Sequence, residues 1–297
     1  NLLPDRDLGL PNTNIPPQNC NWMNQLKSQD YIIEMGGITN FTGKSTTIEI
    51  PVDTEFWSDR KPEGVKPLLY INMNPDGSAV QNKPMVLTYI AEFAKKKNIE
   101  SFLLSSINAI EQSKTNGVIV LNTWSLNPAV PKDKIVDHIK RLKESIGNVK
   151  VPILLIPEYL DATEIHNILY HTDIYINTSY VDDVDINKLR AMSMGKYVMS
   201  TSMWGEFKDG YNGRLISTVP ICTRQVDSTY DYPIWYYGNR IWNQTNEFEL
   251  VDQIQSYFAN SKSVNGFKVK ARQTIVTNNS IPIVSAKIER VFKELLL

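Results

Sequence analysis

Charge imbalance is nearly absent from this chain. Thirty-one Lys and Arg face 32 Asp and Glu in 297 residues, a net charge of −1. Such a surface gives no electrostatic drive toward nucleic acid or an anionic membrane, so neither is expected as a partner. Cysteine is scarce. Cys20 and Cys222 stand far apart and in no metal-ligand spacing. The reading is two free thiols in a reducing compartment, which makes the cytoplasm the expected location and a bound metal unexpected. No run of about 18 apolar residues occurs, so no membrane-spanning helix is expected. No signal peptide opens the chain; it begins Asn1-Leu2-Leu3-Pro4 without Met, as a fragment or a processed N-terminus would. The three histidines, His138, His166 and His171, stand on or near helices and in no recognisable pairing with Ser or Cys, and His138 and His166 read as helix-surface residues. Gly43-Lys44-Ser45-Thr46 looks like the end of a phosphate-binding P-loop. However, Gly37 is one residue too far upstream, Ile38 holds the first glycine position, and the residues that follow read as a strand, so a nucleoside triphosphatase is not expected.

What is present is an alternation of strands and helices in an ordinary globular composition, 42 % hydrophobic and 21 % charged. Tyr31–Met35 reads as a short strand and Leu68–Asn72 as a buried one. Lys83-Pro84 is read as a helix start, with Val86, Ile90 and Phe93-Ala94 on the buried face. Ile99, Phe102-Leu103, Ile107 and Ile110 continue at helical spacing. Val118–Leu121 is a strand, Lys132–Ile146 an amphipathic helix, and Ile153–Ile156 a strand between two prolines. Asp161 with Glu164 three residues later is a capping box. Glu164–Ile216 then runs helix, buried strand, polar loop, helix, glycine, strand, turn, short strand. The expectation is an α/β fold: a doubly wound, mostly parallel, Rossmann-like sheet. Residues 1–57 are expected to be an N-terminal extension and interdomain-like segment. Residues 58–297 are expected to form the sheet domain, with an aromatic insertion at 219–246 and C-terminal helices. The last helix shows an apolar face of Ile288, Val291, Phe292 and Leu295. The insertion, with Trp235, Tyr236, Tyr237 and Trp242, is read as a surface loop covering a hydrophobic patch or as a wall of a carbohydrate or partner site.

Parallel sheets place their ligand loops at the carboxyl ends of their strands. The loop Asn177–Asp185 sits at such an end, crowded with acids, amides and hydroxyls just before a helix N-terminus, where an anionic or sugar ligand is expected. Asp185 is a candidate cap of that helix.

This stretch resembles the nucleotide-sugar domain of GT-B glycosyltransferases, the family-4 retaining type in particular. That family shows Pro-Ser, a Glu, a glycine-rich loop, a second Glu eight residues after the first, and then Ala-Met-Ala-x-Gly-x-Pro-Val-Val. Here Thr178-Ser179 stands at the Pro-Ser position, Asp182 at the first Glu and Arg190 at the second, and Ala191–Val198 continues the match. Trp204-Gly205-Glu206 and Asp209–Gly213 look like the family's next segments. Ile50–Trp57 resembles its interdomain segment. The matches cover roughly residues 45 to 217.

The resemblance implies a glycosyltransferase whose substrate is a nucleotide sugar, with no other cofactor and no metal. It implies that Asp182 is the catalytic-site carboxylate contacting the donor sugar. The implied donor-binding set is Lys83 on the diphosphate, with Asn74, Ser179, Asp182, Asp183 and Arg190. Met73 or Asn74 stands where the family's Arg is expected, and Asp183-Val184-Asp185 replaces its loop glycines. Arg has only donors and cannot replace a Glu that accepts hydrogen bonds from ribose. Too few residues precede Ile50 for a second domain. The expected setting is therefore a donor-binding part completed by an N-terminal acceptor domain or a partner subunit. The alternative is a non-catalytic GT-B-like module that has lost the donor site.

Overall fold

The computed structural model describes residues 32–35, 45–61, 83–147, 149–180, 185–202, 206–222 and 241–296. The expected strand Leu68–Asn72 and its following loop lie outside them, as do Asn74, Asp182 and Asp183.

Six strands form one sheet, all parallel: β3 (Met85–Glu92), β4 (Gly117–Trp124), β5 (Ile153–Ile156), β6 (Ile174–Asn177), β7 (Tyr197–Ser200) and β8 (Arg214–Leu215). Their order is β5-β4-β3-β6-β7-β8. α1 (Ile99–Ser113) and α2 (Lys132–Ser145) carry the chain from β3 to β4 to β5. α3 (Ala162–His171) returns it past β3 to β6, and α4 (Ile186–Ser193) leads on to β7. Right-handed crossovers then put α1 and α2 on one face and α3 and α4 on the other. The doubly wound expectation is met, and the reversal of strand order falls between β3 and β6.

One element was misread. Residues 85–92 are the central strand, not a helix. Val86, Ile90 and Phe93 mimic helical spacing, but Leu87 and Tyr89 between them are just as buried. A strand covered on both faces is a continuous apolar run, which periodicity cannot distinguish from a buried helix. β4 is buried from Gly117 to Thr123 for the same reason. Each buried Val, Leu or Ile contributes about 1.5–3 kcal/mol, so this sheet centre dominates the stability of the domain.

Local rules fix the helix starts. The Asp161 carboxylate accepts from the Glu164 backbone N–H at 2.8 Å, and the Glu164 carboxylate accepts from Asp161 N–H at 2.9 Å, completing the expected capping box. After β8 comes an antiparallel hairpin, β9 (Thr218–Cys222) and β10 (Ile241–Thr245). It is the stem of the aromatic insertion, and residues 223–240 lie outside the described set. Three helices follow: α5 (Glu247–Ala259), α6 (Asn265–Asn278) and α7 (Ile281–Leu296). α5 lies beside α1, where Gln255 Nε2 donates to Gln112 Oε1 at 2.9 Å, and α6 lies on α4.

Near the N-terminus, β1 (Ile32–Met35) and β2 (Ser45–Ile48) form a two-stranded parallel ladder. α7 packs on it through Val284, Ile288 and Val291 against Ile48. Phe292 and Leu295, expected on that face, are 52 % and 44 % exposed, because the buried stripe runs through 284, 288 and 291. Segment 50–59 ties this corner to the sheet domain. Val52 N–H donates to Asn279 O at 2.7 Å, Ser193 Oγ to Trp57 O at 2.7 Å, and Lys196 Nζ to Asp59 at 2.6 Å. Among the described residues no helix is long and apolar enough to cross a membrane.

Candidate functional site

The chain leaves β3 for α1 on one face and β6 for α4 on the other, the switch point of strand order at which doubly wound sheets place their ligand crevice. Hydrogen bonds close the floor of that crevice. Tyr180 N–H donates to Lys96 O at 2.9 Å, and Thr178 Oγ1 donates to Asn98 O at 2.8 Å. Tyr89, inside β3, reaches Lys97 O at 2.9 Å and lies 2.8 Å from Ser179 Oγ. Thr201 Oγ1, after β7, donates to Ser179 O at 2.6 Å. Three strand ends are thereby fixed to one another.

Asp185 organises the other wall. Its Oδ1 accepts from the backbone N–H groups of Asn187 at 2.9 Å and Lys188 at 3.1 Å, which caps α4. Its Oδ2 accepts from Tyr175 OH at 2.9 Å and Asn177 Nδ2 at 2.7 Å. Asn177 Oδ1 in turn accepts from Ser179 N–H at 2.8 Å. The chain from β6 into residue 179 is thus held by side chains that are themselves buried. Such a wall is ordered before any ligand arrives.

The expected site residues separate. Ser179 lies on this floor. Arg190 lies on α4, where its Nη1 donates to Asn187 Oδ1 at 2.9 Å and its guanidinium sits over the Trp57 ring. Burial lowers its pKa, while Tyr159, Asp185 and Tyr175 act to raise it. Lys83 does not join the cluster. It is exposed, two residues before β3, and its charge acts on His171 at the end of α3, so it belongs to the amino edge of the sheet. Eight strand residues at about 3.3 Å each put roughly 25 Å between the two edges. The expected convergence of Lys83 with the carboxyl-edge loops fails, because it rested on reading residues 85–92 as a helix that starts at Lys83.

The basic groups at the carboxyl edge are others. Lys95–Lys97 form a 3-10 turn directly after β3, and it ends at Asn98 in the left-handed region, φ 48°. Lys95 Nζ pairs with Glu100 at 3.0 Å, and His138 Nε2 lies 3.5 Å from the same carboxylate. Burial alone would raise the Glu100 carboxyl, but His138 and Lys95 hold it at about 2. It stays charged, and with burial and Glu247 it pushes the Tyr180 hydroxyl up to about 12. Lys188 on α4 is 1 % exposed. Its Nζ donates to Ser202 O at 3.1 Å and lies 5.3 Å from the centre of the Phe207 ring.

The sequence reading missed both basic features. Three consecutive lysines before Asn98 were the available signal for the first, and no local signal distinguishes Lys188 from a surface lysine. It also placed His166 on a surface. His166 is 5 % exposed, with Nε2 3.0 Å from Ser58 O and its ring against Phe56 and Trp57. Among the described residues no group of three or more His, Cys, Asp or Glu is placed to hold a metal ion.

This geometry has counterparts among solved structures. The C-terminal domain of a group 1 glycosyl transferase, LpcC of Francisella tularensis, matches with a TM-score of 0.53 at 15 % identity, over 77 % of this chain and 99 % of that one. Sucrose-phosphate synthase of Thermosynechococcus elongatus matches with a TM-score of 0.62 at 13 % identity, over 93 % of this chain and 60 % of that one. The fold is that of GT-B glycosyltransferases. Anabaena HepE, solved in complex with UDP, matches with a TM-score of 0.56 at 14 % identity, over 84 % of this chain and 57 % of that one. The chain thus spans little more than half the length of the longer GT-B structures. No protein-family model matches it, and no curated protein does.

Proposed function

We propose that this chain is the donor-binding part of a glycosyltransferase of the retaining, family-4-like type. It takes a nucleotide sugar at the crevice between β3 and β6 for transfer to an acceptor held by another domain or by a partner subunit. The observation that carries this reading is the preorganised floor. Asp185, Tyr175, Asn177 and Tyr89 are spent on holding Thr178–Tyr180 in place at the one edge where a doubly wound sheet binds ligands. Lys96 and Lys97, in the turn where Lys95 is already paired with Glu100, bring positive charge beside that floor for a diphosphate. Asp182 is assigned to the sugar hydroxyls, with Asp183 beside it. The UDP bound by HepE makes a uridine nucleotide the first donor to try.

A second reading is a scaffold that kept the fold without the donor site. Arg190 favours it, since that side chain is taken up by Trp57 and Asn187 and offers ribose no acceptor. A thermal-shift screen against UDP-, GDP- and ADP-sugars separates the two. A donor at 100 times its Kd should add about 2.7 kcal/mol to stability. That shift should weaken in Asp182→Asn and persist in Lys83→Ala. No shift with any donor, together with silent calorimetry, would leave the scaffold reading.

A further inference from the structure

Outside the crevice, the loop between β7 and β8 and helix α6 enclose a groove of about 520 Å³. Lys208, Asp209 and Tyr211 line it from the loop, and Gln273, Thr277 and Asn278 from the helix. None of these residues contributes to the floor described above.

The wall of the groove is built and rigid. Asn212 is 1 % exposed and acts as its pin. Its Nδ2 donates to Glu206 O at 2.6 Å and to Thr274 Oγ1 at 3.2 Å, and its Oδ1 accepts from Lys208 N–H at 2.7 Å. Asp209 Oδ1 accepts from Leu215 N–H at 2.8 Å, and Phe207 beneath the loop is 1 % exposed. Asn278 Nδ2 is spent on Glu206 at 2.9 Å, which ties the helix to the loop. Several polar groups are left over by this framework. Among the described residues the amide of Gln273, the hydroxyl of Thr277 and the phenol of Tyr211 have no hydrogen-bond partner.

The lining selects a ligand class. Lys208 and Asp209 are neighbours of opposite sign and the ammonium of Lys270 is held against the Tyr211 ring, so a ligand of either charge meets a group of its own sign. An apolar ligand would leave the amide and hydroxyls unpaired, which costs free energy. A neutral polyhydroxylated ring satisfies the set. Its C–H face lies on an aromatic ring, and its hydroxyls both donate to and accept from amide and hydroxyl groups. The Tyr211 ring is 45 % exposed and steadied by Lys270, whose Nζ lies 4.6 Å from its centre.

We propose that this groove is a saccharide-binding site for neutral pyranosides, separate from the donor crevice. The assignment does not rest on transferase activity, since a scaffold with no donor site would keep it.

Saturation-transfer NMR tests it, with methyl α-D-glucopyranoside, N-acetylglucosamine and maltotriose as probes. The whole chain is compared with Tyr211→Ala, Gln273→Ala and, in the crevice, Ser179→Ala. Transfer to at least one probe is expected. Loss of the aromatic face should weaken it about tenfold or abolish it. Gln273→Ala should weaken it by a smaller factor, and Ser179→Ala should retain it. Melting curves of Tyr211→Ala and Gln273→Ala should match the parent, since both side chains are exposed. No transfer from any probe overturns the proposal. So does transfer that survives Tyr211→Ala undiminished, which takes the saccharide out of the groove, or transfer that disappears with Ser179→Ala instead, which places it in the crevice.

Discussion

The guanidinium carbon of Arg190 lies 4.4 Å from the centre of the Trp57 ring. One residue belongs to helix α4 and the other to the segment that joins β2 to the sheet domain, so a cation–π contact ties the two together. The position where the resemblance calls for a ribose-binding Glu holds a structural cation instead.

Removing that cation should loosen the joint. Arg190→Ala loses the contact with Trp57 and the bond to Asn187 together, at a cost of about 1–3 kcal/mol. Arg190→Lys should recover only part of this, because an ammonium lacks the flat face and the fork of donors. Arg190→Glu should be worse than Ala, since it sets a carboxylate against the ring and near Asp185. Urea unfolding of the four proteins checks the order; equal midpoints for Arg190→Ala and the parent would remove the structural role.

Asp185 should be the most sensitive acid in the domain. Its loss removes a helix cap, worth about 1 kcal/mol, and takes from buried Tyr175 OH and Asn177 Nδ2 the charged acceptor at 2.9 and 2.7 Å, at about 1–3 kcal/mol for each bond. Asp185→Ala should therefore lower stability by several kcal/mol. Asp185→Asn should lower it less, since one oxygen still caps. Thermal melts of both variants give the comparison.

His166 makes stability depend on pH. Burial lowers its pKa below the ordinary 6.5, with Lys196 acting the same way, while the bonds to the Ser58 and Phe56 carbonyls and Asp59 pull it back. Protonation must therefore occur more readily in the unfolded chain. The sign follows: stability is full above about pH 6.5 and falls as pH drops below it, until the folded-state pKa is reached. His166→Gln should flatten that slope between pH 7 and 5 in denaturant titrations. An unchanged slope would mean that other groups set it.

Two glycines of one loop should respond differently to alanine. A Cβ at Gly213 would lie 2.1 Å from Phe207 Cε2 and 2.8 Å from the Val198 carbonyl. Neither atom can yield, since Phe207 is fully buried and Val198 is sheet backbone, so Gly213→Ala should cost about 3 kcal/mol or more. Gly210 has φ +68° and nothing within 4 Å, so Gly210→Ala should cost only the backbone term, about 1 kcal/mol. Equal melting temperatures for the two variants would contradict this packing.

Much of the fold was legible because the signals were local and redundant. The capping box at Asp161 and Glu164, the apolar stripe of α2 and the run from β6 through α4 to β7 each combine periodicity with a start or stop residue. β3 was not legible, since its spacing satisfies a helix and a buried strand equally and Pro84 tipped the reading. Mistaking that strand carried Lys83 to the wrong edge of the sheet and hid Lys95–Lys97. His166 and Lys188 were missed for another reason: what buries them is segment 50–59 in one case and the loop after β7 in the other, and neither is near in sequence. The resemblance located the carboxyl-edge floor well, because Thr178-Ser179 carries it, but it could not foresee that Trp57 would occupy Arg190.

The pairing of β3 with β6 also governs how this chain can be made. The backbone N–H of Val86 donates to the Asp173 carboxylate across 87 residues, and Leu87 pairs with Ile174 just beyond. β4 can join β3 on one side soon after synthesis, with β5 adding to β4, but the other edge of β3 stays open until β6 leaves the ribosome. At roughly 5–20 residues per second, that wait lasts about 4 to 17 seconds. For that time the central, largely apolar strand β3 presents an unpaired edge, a configuration prone to pairing with another nascent chain. The closing step is a long-range one with a large loop-closure cost, so folding should be slow for a domain of this size, with the β6 side of β3 the last of its edges to gain protection in pulsed hydrogen exchange.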